Sequence, residues 1–315
     1  MRLGFVILSH TEPEMLMRLV QRLKADFNNP PIACHHDMHQ VSINTSAFPS
    51  VRFVAQPLRT RWGHISVVHA FRLALQLLYE ENPPDWFVLL SGSDYPIKSG
   101  EAINAELSSS PYDAYLDYRR IEFSALPENR CDGEFDKGFS RPFYVYIAYD
   151  RYLARRIRYP RIERPFRLRF GRYPIRHPLL VPKNPFTKDF HCFAGAVWFT
   201  ARARCAELLL SSDSFTRELL AFYADKTAAD ESFVHTILCN SPTLKLCNSS
   251  KRYVDWSAGN PHPKLLGIED LPSLRASSHH FARKFSTRHN MHILDQLDRL
   301  VDDQNLKSSS AATRV

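Results

Sequence analysis

Glu231 follows Asp230 directly ahead of Phe233, Val234, Ile237 and Leu238, apolar residues at helical spacing. A carboxylate there can take a proton from a reacting hydroxyl, the work of a general base. It can equally do no more than favour the positive end of a helix dipole. Arg283 and Lys284 stand side by side. Two fixed cations suit a leaving group that develops negative charge, and they are also an ordinary solvated pair. Asp94 lies in Ser91-Gly92-Ser93-Asp94-Tyr95-Pro96, where it is a site acid or a turn residue ahead of proline. The run His35-His36-Asp37-Met38-His39 offers the imidazole and carboxylate that ligate Zn or Fe. On a strand, however, His35 and Asp37 would face away from His36. No second ligand cluster follows, so a strand-end loop near a ligand crevice is expected there, with no metal.

These residues need elements to hold them. Leu3–Leu8 reads as a buried strand, and Thr11, Pro13 and Glu14 open a helix with Met15, Leu16, Leu19, Val20 and Leu23 on one face. Pro31–Cys34, Val51–Ala55, Trp86–Leu90 and Ala114–Tyr118 read as further strands, with a long helix from Ser66 between the second and third of these. Strand and helix alternate, which predicts a largely parallel α/β sheet covered on both faces. The loop after Leu90 is small-residue and acidic, as at the carboxyl ends of strands where open sheets bind ligands. Residues 1–120 thus read as a nucleotide-binding half.

The second half, 121–306, carries a strand at Ala196–Thr200, a helix with Cys205, Leu208 and Leu209, and a buried helix with Glu231 in its first turn. A loop is expected from Trp256 to His279, then an amphipathic helix around Ile293–Leu297, then a disordered tail at 307–315. Between Arg151 and Arg176 there are ten arginines and one acid, Glu163. A solvated loop or short helix would account for them, and so would a surface for an acidic acceptor, an anionic membrane or nucleic acid.

The formal charge of +8 favours an anionic ligand or surface. No Gly-x-Ser-x-Gly elbow, Gly-x-Gly-x-x-Gly fingerprint or P-loop is present, which excludes the usual hydrolase, dehydrogenase and NTPase signatures. No stretch approaches the roughly 20 apolar residues of a membrane span. The six cysteines have no zinc-like spacing and are expected to be reduced thiols. Cys239 and Cys247 could pair only in an oxidising compartment.

Five blocks together are similar to one family. Arg61-Trp62-Gly63-His64-Ile65-Ser66-Val67-Val68 and Leu89–Ile97 resemble two blocks of the core-2/I-branching N-acetylglucosaminyltransferase and peptide O-xylosyltransferase family. Phe193–Phe199, Asp230–Pro242 and Phe281–Phe285 resemble three more, in the family's order. The resemblance implies a GT-A-type fold, with a mixed, mostly parallel sheet flanked by helices in a single domain over 1–306. It implies a UDP-sugar donor, inversion and no metal or other cofactor, with a glycan or glycoconjugate acceptor. Glu231 falls on the family's base. Arg283, Lys284 and Lys264 fall on the donor diphosphate, and Asp94 and Asp37 on the donor side. Trp256 and Trp198 fall on the acceptor side. The chain has no Asp-x-Asp, the pair that holds a cation in metal-dependent relatives of the fold. Val197 stands where the xylosyltransferase branch carries an acid, which leaves xylose and N-acetylglucosamine both open as donor sugars. A bacterial-type cytoplasmic enzyme is expected, peripheral to the inner membrane face through Arg151 to Arg176, with nucleic acid no partner. A basic module that binds anionic lipid or nucleic acid without catalysis is the competing expectation.

Overall fold

The computed structural model describes residues 1–121, 155–163, 167–175, 185–259 and 262–312. In chain order the elements begin β1 (Leu3–Ser9), α1 (Pro13–Asp26), β2 (Ile32–His36), β3 (Val51–Phe53), α2 (Ile65–Tyr79), β4 (Trp86–Ser91) and β5 (Asp94–Pro96). They continue with α3 (Gly100–Ser109), β6 (Ala114–Leu116), β7 (Arg119–Arg120), β8 (Arg155–Glu163), β9 (Arg167–Ile175), β10 (Phe193–Ala194) and β11 (Thr200–Arg202). The last are α4 (Ala203–Leu210), α5 (Ser214–Tyr223), α6 (Phe233–Cys239), β12 (Leu246–Asn248), β13 (Arg252–Val254), α7 (Leu271–Ala276), β14 (Phe281–Arg283) and α8 (Met291–Ala312).

Seven strands form the main sheet in the order β12-β6-β11-β4-β1-β2-β3. All run parallel except β11, which is antiparallel to both β4 and β6. The expected mixed, mostly parallel sheet flanked by helices is therefore present. Along β1 and β4, alternate side chains go to opposite faces. Val6, Phe87 and Leu89 join one core with α2, α4, α5 and α6. Phe5, Ile7, Trp86, Val88 and Leu90 join the other with α1, α3 and α8. Because both faces are covered, these strands read as unbroken apolar runs.

A second sheet, β13-β14-β5, lies beside the first, with β13 and β14 parallel and β5 antiparallel to β14. Arg252, 5% exposed, joins the two sheets. Its guanidinium donates to the Ser250, Leu89 and Phe199 carbonyls at 2.9, 3.2 and 3.2 Å. Burial pulls its pKa down to about 10, with Asp94 and Asp117 pulling the other way. The carboxyl-terminal helix α8 returns to the start of the chain. Arg18 on α1 pairs with Asp295 and Asp298 at 2.6 Å each, and Arg22 pairs with Asp26 on its own helix and with Asp302 at 2.7 Å.

Some local expectations need correction. Ala196–Thr200 is not the strand; Phe193–Ala194 pairs with β7 and Thr200–Arg202 enters the main sheet. The stretch from Trp256 to His279 is not all loop, since Leu271–Ala276 is helical with a proline in its first turn. The last helix is far longer than Ile293–Leu297, and its backbone stays helical through the serines after Lys307 as far as Ala312. The arginine-rich segment is neither loop nor helix where it is described: Arg155–Glu163 and Arg167–Ile175 pair as antiparallel strands. Arg151, Arg164 and Arg176 lie outside the described residues. Among the described residues no helix is long and apolar enough to cross a membrane. Cys34, Cys192, Cys205, Cys239 and Cys247 are all free.

Candidate functional site

The carboxyl ends of β1, β2 and β4 lie side by side, because these strands are parallel neighbours. Each hands its next residues to the same edge: His10 after β1, Asp37 after β2, and Ser91–Asp94 at the end of β4. Such an edge is where open α/β sheets take ligands.

Asp94 and Arg283 meet there because β5 and β14 pair them directly in register. The Arg283 Nε lies 3.1 Å from the Asp94 carboxylate. Asp94 is wholly buried and also accepts from the Ser91 hydroxyl at 2.6 Å and the Ser91 backbone N–H at 3.0 Å. Its geometry is that of an anchor beneath Arg283, with no carboxylate surface left open to a donor. Burial draws the Arg283 pKa below its ordinary value, with Asp94 pulling it back. The Arg283 guanidinium lies 4.4 Å from the Trp198 ring centre. Trp198, expected on the acceptor side, thus forms part of the wall that orients Arg283.

Lys284 follows at the end of β14, half-buried. Two hydrogen bonds fix its loop: Phe285 N–H to the Ser93 carbonyl at 2.9 Å, and Ser286 hydroxyl to the Glu12 carboxylate at 2.8 Å. The Lys284 charge reaches His10. Partial burial of its ring, then Lys284, lower the His10 pKa, while Asp37 acts to raise it. His10 was not singled out from sequence, although its place after the first buried strand was a usable signal.

Asp37 is also wholly buried. It accepts from Gln40 Nε2, Thr60 N–H and Thr60 hydroxyl at 2.8 Å each, and from His39 N–H at 3.0 Å. Burial alone would raise its pKa, but these donors outweigh it and hold the carboxyl well below the usual range. His36 bonds Ser9 and Val41, and His35 accepts from the Leu58 N–H at 2.8 Å. Among the described residues no three His, Cys, Asp or Glu side chains gather as metal ligands. Lys264 donates to Asp270 at 2.7 Å and lies 3.3 Å from Glu269, so its ammonium is tied to acids on the neighbouring turn. Its backbone is close to Lys284, whose N–H points at the Lys264 carbonyl at 3.5 Å. Trp256, after β13, is 48% exposed.

Glu231 does not sit in the helix proper. It ends a 3-10 turn, Ala229–Glu231, and α6 starts only at Phe233, because Ala228 is left-handed (φ 57°) and Ser232 is off-helical. Two distant segments grip this turn. The Gly63 carbonyl accepts the Ala229 N–H at 3.0 Å, and the Glu231 carbonyl accepts the Gly195 N–H at 2.9 Å. Gly195 has no room for a side chain: a Cβ would sit 1.7 Å from the Asp117 carbonyl oxygen. Sequence reading placed both glycines in blocks but gave them no task. Three of the five blocks therefore meet on the backbone around Glu231, and the other two meet at Asp94 and Arg283.

His235, one helical turn past Glu231, is wholly buried beside Gly195. Its ring nitrogens have no well-aligned partner, though the backbone at Ala196 and Asp117 lies close. Burial pushes its pKa down to about 4. Since the unfolded imidazole titrates near 6.5, only the unfolded chain takes up this proton between those values. Stability is therefore full above pH 6.5 and falls as pH drops toward 4, by about 3 kcal/mol from this group. His280, buried against Glu106, has a lowered pKa for the same reason and acts in the same direction. Urea midpoints measured from pH 7.5 to 4.5 should fall steeply below 6.5, and a flat profile would contradict these burial assignments.

The fold and edge define an α/β protein with buried acids and neighbouring cations where its parallel strands end. Residues 3–122 and 159–275 match the model of the Core-2/I-Branching enzyme family, and the chain belongs to that family. The matched residues include Asp37, Asp94, Trp198, Glu231, Trp256 and Lys264 and stop short of Arg283 and Lys284. The chain is 24% identical over 258 residues to the beta-glucuronosyltransferase GlcAT14B of Arabidopsis thaliana, covering 80% of this chain and 52% of the relative. It is 25% identical over 288 residues to xylosyltransferase 1 of Homo sapiens, covering 84% of this chain and 26% of that protein. Against xylosyltransferase 2 of Canis lupus familiaris the identity is 25%, over 80% and 27%. The chain thus spans between about a quarter and about half of the length of these relatives.

Proposed function

We propose that this chain is a glycosyltransferase that moves a sugar, with inversion and without a metal, from a UDP-sugar to a hydroxyl of a glycan, protein or lipid-linked saccharide. The reading rests above all on the convergence of Gly63 and Gly195 on the Glu231 turn, while Asp94 holds Arg283 on the separate three-stranded sheet. Inverting transfer is one in-line displacement, and it needs a single carboxylate to take the acceptor proton. Glu231 is that base. Charge building on the departing UDP is met by Arg283 and Lys284, with His10 beside them, in positions fixed before reaction. Lys264 lies in the loop beside Lys284 with its ammonium shared by Asp270 and Glu269, and Asp37 holds the donor-side loop. Trp256 lines the acceptor approach, and Trp198 borders it from beneath Arg283.

The names of the relatives widen the choice of donor. Glucuronosyl transfer stands beside xylosyl transfer, and N-acetylglucosamine stays in the set through the family itself. The uncharged Val197 argues against a sugar site that depends on an acid there. The arginine-rich strands β8 and β9 are proposed as the face toward an acidic acceptor or an anionic inner-membrane surface, for a cytoplasmic enzyme that does not bind nucleic acid.

UDP release should be assayed with UDP-xylose, UDP-N-acetylglucosamine and UDP-glucuronate in EDTA. One donor is expected to turn over at a rate that Mg²⁺ or Mn²⁺ changes by no more than about twofold, because fixed cations already supply the charge. A strict metal requirement would end the metal-independent mechanism. If UDP raises the melting temperature while duplex DNA and anionic vesicles do not, the non-catalytic alternative is excluded as well.

A further inference from the structure

Trp62 is 70% exposed, the most exposed of the large apolar side chains among the described residues. Its exposure does not come from a loose loop. The His64 N–H bonds the Arg61 carbonyl at 3.0 Å, and Gly63 has φ +69°. Trp62 and Gly63 are thus the two central residues of a tight turn whose third position requires the left-handed conformation. The Arg61 N–H donates to the Ser66 hydroxyl at 3.1 Å, and His64 caps α2 by accepting the Ser66 N–H at 3.1 Å. On its other side the turn is fastened to the segment that ends in Glu231. Gly63 accepts the Ala229 N–H at 3.0 Å, and a Cβ at Gly63 would stand 3.2 Å from the Ala228 nitrogen. A left-handed glycine, a helix cap and a bond across 166 residues of chain therefore hold the turn that carries this exposed indole against the backbone of the turn that ends in Glu231.

We propose that Trp62 is the stacking platform for a sugar ring of the acceptor, so that the acceptor of this enzyme is a saccharide. This rests on the reading of Glu231 as base. The hydroxyl that loses its proton to Glu231 must arrive from solvent, and the anchored turn beside Glu231 offers it a flat apolar face. A pyranose presents one face of axial C–H groups, which packs on an indole as apolar surfaces do, while its hydroxyls stay in water. Trp256, 48% exposed, offers a second aromatic surface, whereas Trp198 is covered by Arg283 and Trp86 lies in the core.

The test compares wild type, Trp62→Ala and Trp62→Phe in UDP release, using the active donor with methyl β-D-galactopyranoside, methyl β-D-xylopyranoside, xylotetraose and a serine-containing peptide as acceptors. The expected result is saccharide-dependent turnover in wild type, with acceptor KM raised at least tenfold in Trp62→Ala and within about threefold in Trp62→Phe. Donor KM and the slow acceptor-independent release of UDP should stay unchanged in both variants. An unchanged acceptor KM in Trp62→Ala overturns the proposal, as does a wild type that uses only the peptide or none of these acceptors while still hydrolysing donor. Loss of donor hydrolysis in Trp62→Ala also overturns it, because the residue would then serve the fold or the donor. A wild type that releases no UDP from any donor fails at the earlier step, the assignment of Glu231.

Discussion

Glu231→Gln should lower kcat by about two to four orders of magnitude while leaving the fold and donor affinity nearly intact. The exchange keeps the size and shape of the side chain and removes its charge and its ability to accept a proton. The backbone of the turn is held by backbone bonds. Its anchors are backbone atoms: Ala229 N–H to the Gly63 carbonyl, Gly195 N–H to the Glu231 carbonyl, and Glu231 N–H to the Ala228 carbonyl at 3.1 Å. Glu231 is neither fully buried nor fully exposed, and glutamine fills the same space with hydrogen-bonding groups of its own. Stability should therefore change by less than about 1 kcal/mol, as for substitutions away from the core. The measurement is steady-state UDP release with donor KM, alongside a denaturation curve. A variant with activity within tenfold of wild type would remove Glu231 from the chemistry and leave it as a helix-start acid.

Arg283 and Lys284 illustrate what the sequence could and could not reveal. Their adjacency and the missing Asp-x-Asp were visible in the chain, while the strand β14 that carries Arg283 was not read there. The alternation of Phe5 and Ile7 against Val6 needs only period-2 geometry, so the main sheet was legible. The partner of Arg283 was not, because Asp94 lies 189 positions earlier and meets it only through the β5–β14 register. The placing of Asp94 and Asp37 on the donor side carried no information on burial, and both carboxylates are wholly buried. Lys264 was matched to a diphosphate-binding position, and the structure adds that Asp270 and Glu269 stand within its reach. Arg252 gave no signal at all, since a buried arginine bonded mainly to carbonyls has no sequence pattern. The short helix α7 did leave one, Asp270 and Pro272 at its start, which a loop assignment passed over. Glu231 was placed correctly in sequence and one element wrong in space. The left-handed Ala228 and off-helical Ser232 that separate its turn from α6 are ordinary helix formers by type and gave no warning.

Gly195→Ala should be the most damaging single-methyl change near the site, because it presses on the backbone that carries Glu231. The added Cβ would lie 1.7 Å from the Asp117 oxygen and 2.7 Å from its carbonyl carbon. Both are backbone atoms, so no side-chain rotation relieves the clash. Asp117 cannot easily retreat either, since it follows β6 directly and its carboxylate accepts the Ser250 N–H at 2.9 Å. The strand end at Gly195 must move instead, and its N–H bond to the Glu231 carbonyl moves with it. His235 closes the remaining side, its Nε2 3.0 Å from the same Cβ position. Overpacking of this kind costs about 1–3 kcal/mol, and more where backbone cannot yield. A displacement near 1 Å at a catalytic group can cost about a hundredfold in rate. The expected outcome is a folded protein, destabilised by about 3 kcal/mol in urea titration, with kcat down at least a hundredfold. UDP should still raise its melting temperature, because the Asp94–Arg283 pair lies on the other sheet. A Gly195→Ala enzyme with near-native stability and turnover would mean that the Asp117 carbonyl does not press on this strand end, and that the Glu231 turn is positioned by Gly63 alone.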